Sequence, residues 1–402
     1  MPLTNVKITP TKPRQEAETI NLQNRLSRNT GKWNASHPRH RLLMALYGFT
    51  RYKVLNLAEV KKWRDLYKHL PKSQKSIVEK VVGYSRKLNA AEHLFEENDW
   101  LAADVVRVGM EYYGIGKEEL ETFVKEMEKE KKGPDRTSVV QAMKHFVRDW
   151  SEEGLFEREG AFTCIINSLE SMEKSDEKPL RLLAPGAGAG RLGYEIDVLG
   201  GFEVTINEWS AYMNLIHRYS TQLHTPNSAS YHPYIDWLSH HATTSDMQRA
   251  VSFPDWIPNT STSASNVVMV EGDFTTVFPD SESENYDIIV TLFFIDTARN
   301  LMSYLETIHR LLRPGGTWIN LGPLLYGTGP WLQFSVDEIV KVSETLGFIF
   351  EVEEEDEGVC GVPTRGEGLE GKVRSLYVPY AQNERGLSRN AYDAQFWKAR
   401  KV

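Results

Sequence analysis

A turn with three alternating glycines is the first feature of the sequence that could do chemistry. The glycines are Gly186, Gly188 and Gly190, and they follow a short apolar run at residues 181–184. Glycine lets the backbone approach a ligand closely, and a helix that begins at such a turn points its amide N–H groups at the ligand. The turn alone fits NAD, a flavin, S-adenosylmethionine or no ligand at all.

An acidic residue, Glu208, follows a second apolar run at residues 202–206, 22 positions after Gly186 (208 − 186). A carboxylate at the end of the second strand of a nucleotide-binding sheet can accept hydrogen bonds from both hydroxyls of a ribose. A helix cap or a surface carboxylate is the alternative interpretation. The spacing makes Glu208 a candidate ligand-binding residue.

Two further strand ends carry residues suited to ligand binding. Asp273 and Phe274 follow one predicted strand and could flank an adenine, and Asp296 lies at the tip of the next. Ligands of open α/β sheets bind outside the carboxyl ends of the strands. The string Leu312-Arg-Pro-Gly-Gly316, before a further strand, is typical of S-adenosylmethionine methyltransferases. The combination favours methyl transfer over hydride transfer.

These residues need a sheet that brings the strand ends together. A strand, a glycine turn, a helix and a second strand form a βαβ unit, whose right-handed crossover makes the two strands parallel. Further strands are predicted at residues 266–270, 286–294 and 317–321, with a helix at 297–312 between the last two. The alternation predicts an α/β fold with a doubly wound, Rossmann-like sheet.

The chain divides into three predicted parts. Residues 1–35 are polar, which predicts a disordered tail. Residues 36–175 carry apolar residues at helical spacing, which predicts a helical region covering the cofactor site. Residues 176–402 make up the Rossmann-like domain, with an insertion at 224–265 that we expect to contain helix, and with C-terminal strands beside the substrate pocket.

Composition narrows the class of protein. The 402 residues carry a net charge of -8, which argues against nonspecific nucleic-acid binding. There are two cysteines, Cys164 and Cys360, which exclude a disulfide framework or a cysteine-rich zinc site and fit a reducing compartment. No apolar run reaches the ~20 residues that span a bilayer. We predict a soluble cytoplasmic protein, with the nucleus as a second location, and no bound metal.

Several longer strings resemble the carnosine N-methyltransferase family. They are Phe146-Val-Arg-Asp-Trp-Ser151, Pro185-Gly-Ala-Gly-Ala-Gly-Arg191, Asn207-Glu-Trp-Ser210, Gly272-Asp-Phe274, Phe293-Phe-Ile-Asp-Thr-Ala298 and Trp318-Ile-Asn-Leu-Gly-Pro-Leu-Leu-Tyr326. The resemblance runs from about residue 140 to residue 402. It implies a class I methyltransferase fold, S-adenosylmethionine as cofactor, and methylation of the imidazole of carnosine or a similar histidine-containing dipeptide to an anserine-type product.

The resemblance also implies a set of cofactor-binding residues. Arg148, on the helix before the sheet, would reach the carboxylate of the cofactor, which a planar guanidinium can bind bidentately. A surface arginine paired with Asp149 or Glu152 is the alternative. His145 stands where the family has a cofactor-contacting glutamine. The predicted set is His145, Arg148, Gly186, Gly188, Gly190, Glu208, Asp273, Phe274 and Leu292.

Asp296 is the predicted catalytic residue. A neutral imidazole has one N–H and one lone pair, so a carboxylate that accepts the N–H turns the other nitrogen toward a sulfonium methyl. The same carboxylate stabilises the imidazolium as it forms. Asp296 could also cap the following helix. The resemblance adds Tyr380 and Tyr392 to the substrate pocket, and Phe293 could pack against the imidazole, although each of these rings could equally be core.

Two positions depart from the family pattern. Residues 327–330, Gly-Thr-Gly-Pro, lie where the family has a second substrate-binding histidine, and Arg299 stands where it commonly has histidine. The acceptor could therefore be a related peptide, a protein histidine or another small metabolite, and a cofactor-binding protein without turnover is a further alternative. A homodimer is compatible with the sequence.

Overall fold

The computed structural model describes residues 13–258, 265–327, 329–352 and 360–402. Its α-helices are α1 (Pro13–Leu26), α2 (Pro38–Thr50), α3 (Tyr52–Tyr67), α4 (Lys72–Val81), α5 (Tyr84–Tyr113), α6 (Lys117–Lys129), α7 (Arg136–Trp150), α8 (Leu155–Glu170), α9 (Arg191–Val198), α10 (Ala211–Ser220), α11 (Thr244–Gln248), α12 (Phe274–Val277), α13 (Leu301–Leu311) and α14 (Val336–Thr345). Its strands are β1 (Leu180–Pro185), β2 (Phe202–Glu208), β3 (Ala229–Tyr231), β4 (Val251–Phe253), β5 (Val268–Glu271), β6 (Tyr286–Leu292), β7 (Leu312–Gly322), β8 (Phe348–Phe350), β9 (Val362–Pro363), β10 (Arg374–Pro379) and β11 (Ala391–Lys401).

One large sheet organises the described residues. Its strand order is β5-β2-β1-β6-β7-β11-β10-β9, with β8 paired to β11. Strands β5, β2, β1, β6 and β7 are parallel, and β11 runs antiparallel to β7. From β1 the chain winds to one side through β2 and β5, then to the other through β6 and β7. This topology confirms the predicted doubly wound α/β fold of the class I methyltransferase type.

Two successive residues of β1 show how the two faces of the sheet are covered. Leu182 and Leu183 are both fully buried, but Leu182 belongs to the core shared with the N-terminal helices and Leu183 to the core shared with α13 and α14. Successive side chains of a strand point to opposite faces, so each face has its own hydrophobic core. A strand buried on both faces is apolar throughout, which is why the sequence indicated it.

The carboxyl end of β6 differs from the prediction. β6 ends at Leu292 because Phe293 has φ 50°, in the left-handed region. A 3-10 turn at Ile295–Thr297 follows, and α13 therefore begins at Leu301 instead of residue 297. This turn holds residues 293–297 at the edge of the sheet, between the ends of the strands and the first helix beyond them.

The N-terminal helices α2 to α8 precede the sheet and pack against one another, as well as against α10. The fold class, with its N-terminal helical region, is therefore as predicted. None of the helices in the described part of the chain is both long and apolar enough to cross a membrane.

The prediction of a disordered tail over residues 1–35 is wrong for residues 13–35. Helix α1 lies against the edge of the sheet, where the Arg14 guanidinium donates to Thr205 Oγ1 at 2.8 Å and Leu22 and Leu26 are buried. Two leucines at i, i+4 spacing bury one narrow face, and mean composition does not detect so narrow a stripe. Residues 1–12 lie outside the described residues.

The two cysteines form one disulfide bond, Cys164–Cys360, which joins α8 to the segment before β9. The two cysteines, whose small number we took to fit a reducing compartment, are therefore paired with each other. The prediction relied on cysteine count, and a separation of 196 residues gave no indication that the fold brings the two side chains together.

The insertion at 224–265 forms a small layer of its own, as far as residue 258. Strands β3 and β4 pair antiparallel, and the short helix α11 lies between them. Phe253 of β4 stacks on Phe146 of α7 with ring centroids 4.4 Å apart. Asp255 then joins Arg158 of α8 and Arg191 of α9 in one ion-pair network. The insertion is therefore tied to the helices on either side of the glycine turn.

Replacing Asp255 with alanine is expected to lower the free energy of unfolding by about 3–5 kcal/mol, because the almost fully buried Arg158 would lose its paired carboxylate and Arg191 would keep only Glu195. The Arg158 and Arg191 side chains are only 3% and 7% exposed. Urea denaturation measures the change. Asp280→Ala, at a fully exposed aspartate, serves as the control and should change stability by less than about 0.5 kcal/mol. Equal stability of the two variants would contradict the prediction.

Candidate active site

The glycine turn follows β1 directly and leads into α9, whose N-cap is Gly190. Gly186 and Gly190 have φ of 70° and 90°. A Cβ at Gly186 would come within 2.3 Å of Phe294 Cδ2, and one at Gly190 within 2.6 Å of His217 Cδ2. Both positions need glycine for conformation and for space. The turn therefore presents bare backbone at the edge of the sheet.

Glu208 ends β2 and is held by backbone donors. Its Oε2 accepts the N–H of Gly188 at 2.9 Å, and its Oε1 accepts the N–H of Ser210 at 2.7 Å. Burial raises the pKa of Glu208, and these two backbone donors oppose that rise. The carboxylate is fixed where β1 and β2 end, beside the glycine turn.

His145 and Asp149, one helical turn apart on α7, connect this helix to the glycine turn. His145 Nδ1 lies 2.8 Å from Asp149 Oδ2, which also accepts the N–H of Ala189 at 3.3 Å. Burial alone would raise the pKa of Asp149, but the neighbouring charges of His145 and Arg148 keep it below its ordinary value. The sequence analysis did not assign Asp149 to the site, although the i, i+4 spacing of His145 and Asp149 on a helix could have indicated it.

Arg148 lies over aromatic rings. Its guanidinium carbon is 4.3 Å from the centroid of Tyr380 and 5.5 Å from that of Phe293. Its Nε lies 3.8 Å from Asp149 Oδ1 and 3.9 Å from Glu157 Oε2. Burial alone would lower the pKa of Arg148, but Tyr380 and the two carboxylates raise it overall. Arg148 is therefore a permanent cation, and it is not the simple surface arginine of the alternative interpretation.

Phe293, Tyr380 and Tyr392 form one aromatic cluster. The rings of Phe293 and Tyr380 stack with centroids 4.8 Å apart, and Tyr392 meets both edge-on at 5.9 and 5.6 Å. The antiparallel register of β10 and β11, which pairs Pro379 with Ala391, brings the two tyrosines together. All three residues predicted to line the substrate pocket beside Asp296 are thus in mutual contact.

Asp296 lies in the turn after β6 and is 7% exposed. Its Oδ2 accepts the N–H of Leu325 at 3.1 Å, and the N-cap of α13 is Asn300, so Asp296 does not cap that helix. Burial raises the pKa of Asp296 to about 6. Burial raises the pKa of the Tyr392 hydroxyl, and Tyr380 and the charge of Asp296 add to that rise. One hydrogen bond leaves this carboxylate able to accept others from a ligand.

The remaining predicted cofactor-binding residues, Asp273, Phe274 and Leu292, differ in their exposure and contacts. The exposed Asp273 caps α12 by accepting the N–H of Thr275 at 2.9 Å. The ring of Phe274 is only 3% exposed because it packs edge-on against Phe294 and other rings. These neighbours hold the ring in the core of the sheet edge, and its contact with an adenine stays a prediction. Leu292 is half-buried at the end of β6.

A cavity of about 400 Å³ adjoins Arg148 and Tyr380. Its other walls come from α7, from the insertion at residues 233–241 and from residues 381–390 after β10. His240 and His241 of the insertion line it. Within the described residues, no group of three or more His, Cys, Asp or Glu side chains is arranged to hold a metal ion.

The groups at this edge of the sheet are complementary to S-adenosylmethionine. Bare glycine backbone at a helix N-terminus, a fixed carboxylate after the second strand and a buried guanidinium match the hydroxyls and the carboxylate of that molecule. A Cβ at Gly186 or Gly190 would collide with Phe294 or His217 and so displace the turn. Fold and site together define a protein of the class I methyltransferase type.

The chain belongs to the carnosine N-methyltransferase family, whose model matches residues 125–402. A carnosine N-methyltransferase of Mus musculus is 37% identical over 233 residues, which cover 55% of this chain and 57% of the mouse protein. One of Schizosaccharomyces pombe is 30% identical over 285 residues, which cover 66% of this chain and 74% of the yeast protein. The aligned part thus spans a little over half the length of the mouse relative.

A solved structure of Haemonchus contortus phosphoethanolamine N-methyltransferase 2 with S-adenosyl-L-methionine is also similar. The TM-score is 0.33 at 15% sequence identity, and the match covers 53% of this chain and 46% of that one.

The two departures from the family pattern lie near Asp296. Gly327 comes two residues after Leu325, the backbone donor to Asp296. The backbone oxygen of Arg299 accepts the N–H of Trp331 at 2.6 Å. The backbone that leads into Gly327 is thus hydrogen-bonded to the Asp296 carboxylate through Leu325, and the resemblance implies a histidine just after this point in the family.

Proposed function

We propose that the protein is an S-adenosylmethionine-dependent N-methyltransferase that methylates an imidazole nitrogen of carnosine or a similar histidine-containing dipeptide. One observation carries the proposal: a buried carboxylate, Asp296, stands near a cluster of aromatic rings at the same sheet edge as the glycine turn. An aromatic cluster fits a flat ring, and a carboxylate fits a ring that becomes a cation. S-adenosylmethionine, when bound, supplies a methyl group on a positively charged sulfur.

The protein's own groups would prepare the acceptor for this transfer. Asp296 accepts the N–H of the neutral imidazole, so the lone pair of the other nitrogen is free to form the new N–C bond while the S–C bond breaks. Positive charge then appears on the ring, where the Asp296 carboxylate stabilises it. The ring proton passes to solvent afterwards. Because the attacking nitrogen carries a lone pair and no proton, no general base is needed in the methyl-transfer step.

Cofactor binding would use groups at the ends of β1 and β2 and on α7. Glu208 would accept hydrogen bonds from the ribose, and Arg148 would bind the carboxylate, with His145, Asp273 and Leu292 nearby. The cavity of about 400 Å³ behind Arg148 and Tyr380 offers room for the part of the acceptor beyond its imidazole. The insertion lines this cavity, so we expect it to influence the choice of acceptor.

Incubation with methyl-labelled S-adenosylmethionine and carnosine tests the proposal. We expect labelled product of dipeptide size in which one imidazole nitrogen carries the methyl group, as identified by mass spectrometry and NMR. A dipeptide with phenylalanine in place of histidine is the control and should stay unlabelled. Binding of the cofactor without any labelled product from imidazole acceptors would instead favour the cofactor-binding protein without turnover.

A protein histidine is the second candidate acceptor, and the glycine at position 327 beside the Asp296 turn favours it. A missing pocket histidine removes one contact to a small acceptor, while a peptide chain would bring contacts of its own. Labelling of a cell lysate distinguishes the candidates by the mass of the labelled product. Label confined to small molecules would reject the protein acceptor.

A further inference from the structure

Arg41 of α2 reaches the edge of the sheet next to Glu208. Its guanidinium carbon lies 3.6 Å from the centroid of the Trp209 ring, and its Nη2 donates to the backbone oxygen of Trp209. Trp209 directly follows Glu208 in the chain. A side chain of the N-terminal helical region is therefore in contact with the residue next to the candidate ribose ligand.

Most of the donors of Arg41 are uncommitted. A guanidinium has five N–H donors, and in the described part of the chain only the bond to Trp209 uses one. No carboxylate of the described residues lies within 4.0 Å of it. Burial lowers the pKa of Arg41 to about 10, against the charges of Glu208, Asp273 and Glu271, which raise it. Arg41 thus stays charged at neutral pH near carboxylates that it does not contact.

Trp209 offers its ring to solvent beside the site. The residue is 55% exposed. Arg41 covers one face of the indole, which fixes the ring by a cation–π contact. A fixed, exposed aromatic surface beside a ribose-type carboxylate is suited to a nucleoside base, because every base has a π face that can stack.

We propose that Arg41 is a cofactor-binding residue that, together with Trp209, forms the adenosine half of the site. The inference rests on the proposed use of S-adenosylmethionine. Arg41 lies outside residues 125–402, the part matched by the family model. Under this proposal the N-terminal helical region completes the cofactor site: Trp209 offers a surface to the purine, and the free donors of Arg41 bind acceptor atoms of the purine or ribose.

Calorimetric titration with S-adenosylhomocysteine, and separately with adenosine, tests the proposal on the full chain. Arg41→Ala is expected to weaken both ligands about 10- to 100-fold, the effect of losing hydrogen bonds from a charged donor. Arg41→Lys should weaken them about 3- to 10-fold, because an ammonium keeps the charge without covering the indole. Trp209→Ala should also weaken both, and since Trp209 is exposed, we expect this variant to fold.

Arg51→Ala is the matched control. Arg51 is the C-cap of the same helix and pairs with Glu128 on α6, away from the sheet edge. It should leave both affinities within about 2-fold of the wild type. A loss of affinity in Arg51→Ala equal to that in Arg41→Ala would overturn the proposal. Both losses would then come from a general disturbance of α2 and not from a contact between Arg41 and the ligand.

Two other results would overturn it. Arg41→Ala could bind S-adenosylhomocysteine as tightly as the wild type, or it could lose affinity for S-adenosylhomocysteine but keep that for adenosine. If circular dichroism shows Arg41→Ala to be unfolded, Arg41→Lys and Trp209→Ala decide by the same criteria. A wild-type protein that binds no S-adenosylhomocysteine would instead reject the proposed cofactor, which separates the two failures.

Discussion

Asp296→Asn is expected to lower kcat for methyl transfer to an imidazole acceptor about 100- to 1,000-fold, a typical effect of removing one group that stabilises developing charge. The amide can still accept a hydrogen bond through its oxygen, so the acceptor can still be oriented. It carries no negative charge, however, so the imidazolium loses its stabilising partner. Affinity for S-adenosylhomocysteine should not change, because Asp296 lies on the acceptor side.

The pH dependence of the same pair of enzymes gives a sharper criterion. Burial raises the pKa of Asp296 to about 6, so the wild type loses its carboxylate as pH falls through that value. A free imidazole with a pKa of about 6.5 becomes protonated in the same range. In a plot of log(kcat/KM) against pH, the slope at low pH should therefore approach about two in the wild type, where both groups are protonated. It should approach about one in Asp296→Asn, where only the imidazole is protonated.

Asp393→Asn is the matched control for the Asp296 substitution. Asp393 is the residue after Tyr392 on β11, and its side chain is exposed. The Asp393→Asn enzyme should have the activity of the wild type and the same slope at low pH. An Asp296→Asn enzyme with full activity, or with an unchanged slope of two, would refute the catalytic role of this carboxylate.

The glycine turn and Glu208 could be predicted because their geometry is local. Gly186 and Glu208 lie at the ends of neighbouring parallel strands, and any βαβ unit brings such ends to one edge. The positive φ angles at the turn also require a residue type that is visible in the sequence. Local rules therefore sufficed for the strand order near β1 and for this half of the site.

The other half depends on contacts between distant segments. Arg148, Phe293 and Tyr380 come from α7, from the end of β6 and from the end of β10, and only the packed structure shows that their side chains touch. The family resemblance supplied their names but not their arrangement. Asp149 was missed for the same reason, since its bond to the Ala189 N–H crosses 40 positions.

Phe274 and α1 show two kinds of packing that sequence patterns do not reveal. The position of Phe274 after a strand is right for a ligand contact, yet three aromatic neighbours bury its ring in the core. Helix α1 is polar in composition, yet Leu22 and Leu26 anchor it. In both cases the outcome depends on the surface that the rest of the fold offers, and no local window of sequence contains that information.

Glu208→Gln is expected to weaken binding of S-adenosylhomocysteine by about 100-fold, or roughly 3 kcal/mol. The carboxylate accepts the N–H of Gly188 with one oxygen and that of Ser210 with the other. An amide has a single oxygen, so one of these backbone donors would face an NH2 group, and the ribose would lose a charged acceptor. The glycine turn would then lose its support at the point where the cofactor binds.

Glu203→Gln, at the other end of β2, separates this local effect from a general weakening of the strand. Glu203 pairs with Arg14 and Arg181 far from the carboxyl edge, and its replacement should leave affinity within about 2-fold of the wild type.

Burial raises the pKa of Glu208, and only its ionised form offers both oxygens as acceptors. As pH falls, the wild type should therefore begin to lose affinity for S-adenosylhomocysteine at a pH above the pKa of an ordinary glutamate. Glu208→Gln should show no such loss. Calorimetry across pH measures both effects, and a Glu208→Gln protein that binds like the wild type would remove Glu208 from the cofactor site.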